Sequence, residues 1–277
     1  MPDAFGYCEN LLRAGDKDRW LASLFAPADR RPHLHALYAF NLEIARVREL
    51  AREAMAGEIR LQWWREVLAG TRPGEAAANP VAAALMETVA RHDLPLQTFL
   101  DLIEARAFDL YNDPMPSLDA FAAYGRHTAS GLISLAARVL ARDRDVSEAA
   151  GPAGIAYATT GLLRTLALHA SRGQIYLPAD VLARHGADLS DILAGRTTDA
   201  LRAALAELRG FAREHFDLFA ARRPSLPRAV APAFLPVALV PAYLARMERR
   251  DYDPFTTPVE VPQWRRQWLL WRAARRM

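Results

Sequence analysis

Closely spaced carboxylates are the first residues of this sequence that could do chemistry. Glu49 and Glu53 are four residues apart. On a helix they would share one face and could hold one Mg²⁺ ion through their oxygens. However, Arg46, Arg48 and Arg52 lie among them, and cations so close pair with the same carboxylates. The pattern therefore favours a salt-bridged, solvated helix face over a metal site.

A second group of acids, Asp101, Glu104 and Asp109, falls within one predicted helix. Three acids on one helix approach a metal ion from one side only, which is not enough for a site enclosed by several helices. His127 and His169 have neither the HExxH spacing nor the cysteine and histidine cluster that hold Zn²⁺. The sequence therefore predicts no metal site and no cofactor.

The elements that would position these residues are helices. Apolar residues recur at helical spacing, and no convincing run with a period of two is found. Pro32 suits the first turn of one helix. Further helices are predicted over residues 58–69, 80–92, 95–111, 117–141, 147–170, 198–221, 229–248 and 262–275. Residues 171–197 are irregular, with room for one short helix. We expect one all-α domain over residues 1–277, a multi-helix bundle around a central cavity.

Composition indicates a globular protein. The 277 residues are 52% hydrophobic and 24% charged, with a net charge of +3. The single cysteine, Cys8, cannot form an internal disulfide and suggests a reducing compartment. The first residues have neither the apolar core of a secretory signal nor the arginine-rich pattern of a transit peptide. These features predict a cytoplasmic protein and no nucleic-acid partner.

Two segments could contact a membrane. The uncharged stretch Ala229–Ala245 contains three prolines, which favours a buried, bent core helix over a membrane span. Near the carboxyl end, Trp264, Trp268 and Trp271 fall on one side of a predicted helix flanked by arginines. That pattern is typical of a helix lying at a lipid surface. Packing of the tryptophans against the bundle is the alternative.

Four segments carry a resemblance to a known family: SLFAPADRRPHLHALYAF, ALYAFNLEIARVRE, YGRHTASGLISL and GLLRTLALHASRGQIYLP. They resemble the squalene/phytoene synthases, which join two allylic diphosphates into C30 and C40 isoprenoids. The resemblance runs from about residue 15 to the DYDPF segment ending at Phe255. It implies the all-α isoprenoid-synthase fold.

The resemblance also shows a departure. The family's first acidic motif falls on residues 45–49, where Ala45 begins the motif and only Glu49 is acidic. The second falls on residues 163–169, where Thr165 and His169 replace aspartates. A diphosphate leaves readily only when Mg²⁺ neutralises its charge. The chain therefore keeps the frame of the family without its metal ligands.

Other family positions are retained. By resemblance, Tyr38, Arg164, Arg172 and Tyr176 lie beside the diphosphate site. Arginine suits such a site because it can hold a phosphate through two hydrogen bonds. An ion pair of Arg164 within the bundle is the alternative. The segment LIEARAFDL resembles a family stretch and retains two acids as candidate ligand-binding residues, Glu104 and Asp109.

Among the family's branches, the sequence resembles the one related to the mitochondrial complex I assembly factor. This implies a non-catalytic homologue that assists assembly of respiratory complex I, peripheral at the inner membrane. Its partners would be respiratory complex subunits, a membrane surface, or an isoprenoid or lipid ligand. The alternative is an active Mg²⁺-dependent prenyltransferase that joins two isoprenyl diphosphates head to head.

Overall fold

The structure, a computed structural model, describes residues 3–51 and 53–276. Arg52, predicted to pair with Glu49 or Glu53, lies outside the described residues. In these ranges the chain forms helices and no β-sheet, as the periodicity predicts. The α-helices are α1 Ala4–Gly15, α2 Lys17–Ser23, α3 Arg31–Ala45, α4 Val47–Leu50, α5 Ala54–Leu68, α6 Pro73–Ala78, α7 Pro80–His92, α8 Leu96–Ala107, α9 Leu118–Gly125, α10 Gly131–Leu140, α11 Ser147–Arg164, α12 Leu166–Ser171, α13 Ala179–His185, α14 Leu189–Leu193, α15 Asp199–Arg222, α16 Ala231–Phe234, α17 Val240–Met247 and α18 Gln263–Ala274.

Helix α11 lies at the centre of the packing, with α15 along one side and a π-helical turn, Arg126–Ser130, on another. This turn joins α9 to α10, so the predicted helix 117–141 is continuous but locally widened. Small residues of α11 permit the close approach. A Cβ atom on Gly154 would lie closer than 3.0 Å to the backbone of Ser130.

Helix α3 begins where the proline signal predicts, with Pro32 in its first turn. Every residue from His33 to Leu42 is buried, so the helix has no exposed face over this range. The helix is enclosed because α1, α7 and α10 all pack against it. Its carboxyl end at Ala45 and the following Arg46 form a break before α4.

Two predicted helices are interrupted. The predicted helix 147–170 breaks at Thr165, which separates α11 from α12. Its hydroxyl donates a hydrogen bond of 2.9 Å to the carbonyl of Gly161. The predicted helix 229–248 breaks into 3-10 turns and short helices because its prolines cannot donate to the helical ladder.

The segment Arg228–Met247 has the length and mean hydropathy, 1.5, of a membrane span, but 72% of its apolar window is buried within the fold. The prediction of a buried, bent core segment agrees with this burial. The irregular stretch 171–197 holds two short helices, α13 and α14, rather than one. A positive φ of 73° at Gly173 turns the chain after α12, a conformation that glycine adopts without strain.

Candidate functional site

Two buried polar clusters contain four of the six candidate ligand-binding residues, Tyr38, Arg164, Tyr176 and Asp109, together with His169. The first, named here the Asp109 cluster, consists of Arg106, Asp109, Tyr124, His169, Gln174 and Tyr176. The second, named the Asp18 cluster, consists of Asp16, Asp18, Arg19, Tyr38, Tyr157, Arg164, Tyr243 and Arg266. Each cluster brings together side chains from helices that are distant in sequence.

The Asp109 cluster is built on the end of α8. Asp109 lies in a 3-10 turn that follows α8, and Arg106 in the last turn of α8 forms an ion pair of 3.0 Å with it. The hydroxyl of Tyr124 on α9 donates to Asp109 at 2.8 Å and accepts from Arg106 at 2.6 Å. The carboxylate of Asp109 is therefore neutralised by an arginine and a phenol of its own chain.

The loop after α12 closes this cluster. The side-chain amide of Gln174 donates to the carbonyl of Asp109 at 2.8 Å. A single β-bridge between Met115 and Pro178 holds the loop in place. The ring of His169 then lies edge-on to Tyr176 at 4.7 Å.

Burial sets the protonation of these groups. It raises the pKa values of the Tyr124 and Tyr176 phenols, and the charge of Asp109 raises them further. It lowers the pKa of His169. At neutral pH the phenols are hydrogen-bond donors and the imidazole is neutral. The cluster thus has no cationic histidine with which to bind an anion, and its arginine, Arg106, is already paired with Asp109.

The Asp18 cluster is built on the first turn of α2. Asp16 caps this helix, accepting from the backbone N–H of Arg19 at 3.1 Å and from its guanidinium at 2.6 Å. The same guanidinium lies over the rings of Tyr157 at 4.9 Å and Tyr38 at 5.7 Å. Tyr38 therefore contacts an arginine of its own chain in the buried interior.

Asp18 itself faces the carboxyl-terminal helices. It accepts a hydrogen bond of 3.0 Å from the hydroxyl of Tyr243 on α17 and lies 3.0 Å from Nε of Arg266 on α18. Burial raises the pKa of Asp18, and the positive charges of Arg266 and Arg164 offset part of this effect. The carboxylate and the two arginines together form a largely buried group in which each arginine lies near the charge of Asp18.

Arg164, at the end of α11, does not point into open space. Its guanidinium stacks on the ring of Tyr243 at 3.6 Å, and its Nε donates to the carbonyl of Val259 at 3.3 Å. Cation–π contacts of desolvated arginines are favourable, and Asp18 supplies the nearby negative charge. An incoming phosphate would have to compete with these internal partners.

The remaining predicted residues lie apart from one another. Glu49 forms a half-exposed ion pair of 2.8 Å with Arg172, and among the described residues it is not paired with Arg46 or Arg48. Glu104 is 77% exposed and pairs with Arg65, so its grouping with Asp109 in one site is wrong. Five helical residues correspond to about 140° around the axis, which sends the two acids in different directions.

The donor set at the two motif positions does not fit Mg²⁺. Ala45 and Thr165 lie at the helix breaks and bring no carboxylate, and the neutral imidazole of His169 is a poor ligand for so hard a cation. Within the described ranges, no group of three or more histidine, cysteine, aspartate or glutamate residues is arranged to hold a metal ion. We derive no reaction step through such an ion.

Several cluster residues were not found from the sequence. The spacing of three between Arg106 and Asp109 was a usable signal for a helix ion pair. No local signal joins Asp18 on α2 to Arg266 on α18, because the two lie near opposite ends of the chain.

The tryptophans of helix α18 are more exposed than packing against the bundle would make them. Trp264 is 71% exposed, and Trp268 and Trp271 are each 47% exposed. The helix packs on the bundle through Leu270 and Ala273 instead. The alternative that the tryptophans pack against the body is therefore wrong.

Known proteins resemble this chain in sequence and in fold. A family model described as squalene/phytoene synthase matches residues 12–272. The complex I assembly factor 6 of Rattus norvegicus is 31% identical over 256 residues, covering 92% of this chain and 77% of that protein. The phytoene synthase of Arthrospira platensis is 29% identical over 289 residues, covering 97% and 91%.

A solved structure agrees with the fold. The squalene synthase HpnC from Alicyclobacillus acidocaldarius has a TM-score of 0.77 at 28% identity, covering 91% of this chain and 95% of that one. The expected all-α isoprenoid-synthase fold is confirmed, and so is the expected similarity to the assembly factors. This chain belongs to the squalene/phytoene synthase family.

Proposed function

We propose that this chain is a non-catalytic member of its family that assists the assembly of respiratory complex I. The similarity to complex I assembly factor 6 supports the proposal, because it covers nearly all of this chain. The family itself includes active phytoene synthases of almost equal identity. The choice between the two activities therefore depends on the chemistry of the site.

The observation that carries the proposal is the loss of acids at the two motifs, where Glu49 alone is a carboxylate. Ala45, Thr165 and His169 stand where the resemblance expects acids. Ionising an allylic diphosphate places growing negative charge on the leaving group, and this charge has to be neutralised in the transition state. We infer that this protein needs no metal cofactor because it does not perform this step.

The arginines support the same inference. Arg164 lies on Tyr243 beside Asp18, and Arg266 pairs with Asp18. Removing an arginine from a buried pair leaves an uncompensated charge, which costs several kcal/mol (about 3–5). A diphosphate would have to supply more than this to recruit the arginines. The Asp18 cluster instead links α2, α11, α17 and α18 through contacts within the chain.

The test has two arms. In the first, the purified protein is incubated with farnesyl or geranylgeranyl diphosphate and Mg²⁺, with an active squalene synthase as the positive control, and released diphosphate and hydrocarbon are measured. We expect no turnover. Turnover that Asp109→Asn or Glu49→Ala abolishes would instead establish the alternative, a head-to-head prenyltransferase.

In the second arm, the gene is deleted in its host, and complex I is measured in membranes by native electrophoresis and NADH oxidation. We expect loss of assembled complex I. The wild-type gene and the Glu49→Ala variant should restore it equally, because Glu49 only forms a half-exposed ion pair. Normal complex I in the deletion strain would refute the assembly role.

A further inference from the structure

A groove near the carboxyl end has the composition of a binding site for an anionic amphiphile. It lies between the end of α15, the helix α17 and the helix α18, with a volume of about 420 Å³. Its floor is apolar and includes Leu269 of α18, and its rim carries the side chains of Arg223, Arg265, Arg272 and Arg276. None of the residues that line it is acidic.

The positive charge of the rim is not compensated as it is elsewhere in the protein. Arg266, the neighbour of Arg265 in sequence, turns inward and pairs with Asp18. By contrast, no ion pair to the four rim arginines is found in the part of the chain that the structure describes. The Nε atom of Arg223 is buried without a hydrogen-bond partner. Four guanidinium groups around one groove repel one another, and an anion between them would remove this repulsion.

The exposed face of α18 continues from this groove. Trp264, Trp268 and Trp271 project from it at a spacing of four and three residues, so they form one stripe. Arg272 stacks on Trp268 at 5.2 Å, and Arg275 stacks on Trp271 at 4.5 Å. Large aromatic side chains are rarely exposed together on a monomer without a binding role. Tryptophan and arginine both suit the boundary between lipid headgroups and acyl chains.

We propose that α18 and the adjoining groove bind the surface of a bilayer that contains anionic phospholipids. The phosphates contact the rim arginines, the upper part of an acyl chain covers the apolar floor, and the tryptophan stripe enters the headgroup boundary. A flat apolar phase accepts all three tryptophans at once. An acidic peptide in the groove would leave the stripe exposed to water, so the lipid surface is the favoured occupant.

The experiment uses the full chain and two kinds of vesicle, phosphatidylcholine alone and phosphatidylcholine mixed with phosphatidylglycerol. Binding is measured by flotation. We expect binding to the mixed vesicles only, weakened by added salt because exposed charges are screened. Each arginine near an anionic surface contributes about 1 kcal/mol, or about fivefold in affinity. The double variant Arg272→Gln/Arg276→Gln should therefore bind about 25-fold more weakly.

A matched control removes the same charge elsewhere. Arg138→Gln/Arg142→Gln lowers the net charge equally, but these residues pair with Asp93 away from the groove. It should bind the mixed vesicles within about twofold of the wild type, since neither side chain lines the groove. Circular dichroism checks that both double variants are folded.

The stripe is tested separately. Tryptophan emission should shift to shorter wavelength when the mixed vesicles are added, and this shift should be lost in Trp264→Ser/Trp268→Ser/Trp271→Ser. Equal binding to both kinds of vesicle, or equal weakening by the groove and control variants, would overturn the proposal. So would binding of a polyglutamate peptide, dependent on Arg272 and Arg276, without binding to vesicles. Loss of lipid binding leaves the assembly proposal standing, because catalysis and complex I are measured independently.

Discussion

The close contact between α11 and the π-helical turn predicts that one added methyl group at this contact destabilises the fold. In Gly154→Ala the new Cβ atom would lie closer than 3.0 Å to the backbone nitrogen and Cα of Ser130, whereas ordinary contacts begin near 3.4 Å. Backbone atoms cannot rotate away, so α11 and the π-helical turn must move apart by about 1 Å. Overpacking of this kind costs about 1–3 kcal/mol, and the backbone clash favours the upper end.

The control is Gly161→Ala on the same helix, where a Cβ atom meets nothing within 4 Å and no proline follows. Alanine is the better helix former, so this variant should gain about 0.5–1 kcal/mol. A change of 1 kcal/mol moves the melting temperature of a chain of this size by about 2–4 °C. The melting temperature should therefore fall by about 6–12 °C in Gly154→Ala and rise by about 1–4 °C in Gly161→Ala.

Thermal unfolding followed by circular dichroism measures both variants, and urea unfolding gives their free energies. Because α11 also carries Arg164, the shift should disturb the stacking of Arg164 on Tyr243. A melting temperature of Gly154→Ala within about 1 °C of the wild type would refute the packing argument. An equal fall in both variants would attribute the effect to the helix itself and not to Ser130.

Two further predictions concern buried polar groups. Burial, His33 and Arg30 lower the pKa of His92 to about 4, and its Nδ1 lies 3.2 Å from Arg30. Between pH 6.5 and about 4, the unfolded chain therefore binds a proton at His92 that the folded protein does not bind. This difference lowers the free energy of unfolding as the pH falls from 6.5 toward 4. Urea unfolding should show a smaller loss over this range in His92→Gln, and parallel curves would contradict the assignment. Tyr124→Phe removes a donor to buried Asp109 and should cost about 1–3 kcal/mol. Tyr111→Phe, which loses only an exposed bond, should change the unfolding free energy by less than about 0.5 kcal/mol, and equal effects would refute the role of burial.

The candidate site was predictable only where the signal was local. The proline at the start of α3 and the helical periodicity gave most helix positions, because both depend on near neighbours. The resemblance named Asp109, His169 and Tyr176 separately but did not predict that they meet in one cluster. Nor did it predict the exclusion of Glu104, which depends on which side of α8 faces the core. The breaks at Arg46 and Thr165 were also missed, because no proline or glycine marks them.

The sequence by itself determined the all-α class, the family, and the residues at the acidic motif positions, since composition and order are sufficient for these. Only the tertiary structure decided which charges meet. Asp18 and Arg266 pair across nearly the whole chain length, and the same fold turns the tryptophans of α18 toward solvent. Burial raises the energy of any unpaired charge. The partners of each arginine are therefore set by the packing of distant helices, which no local pattern records.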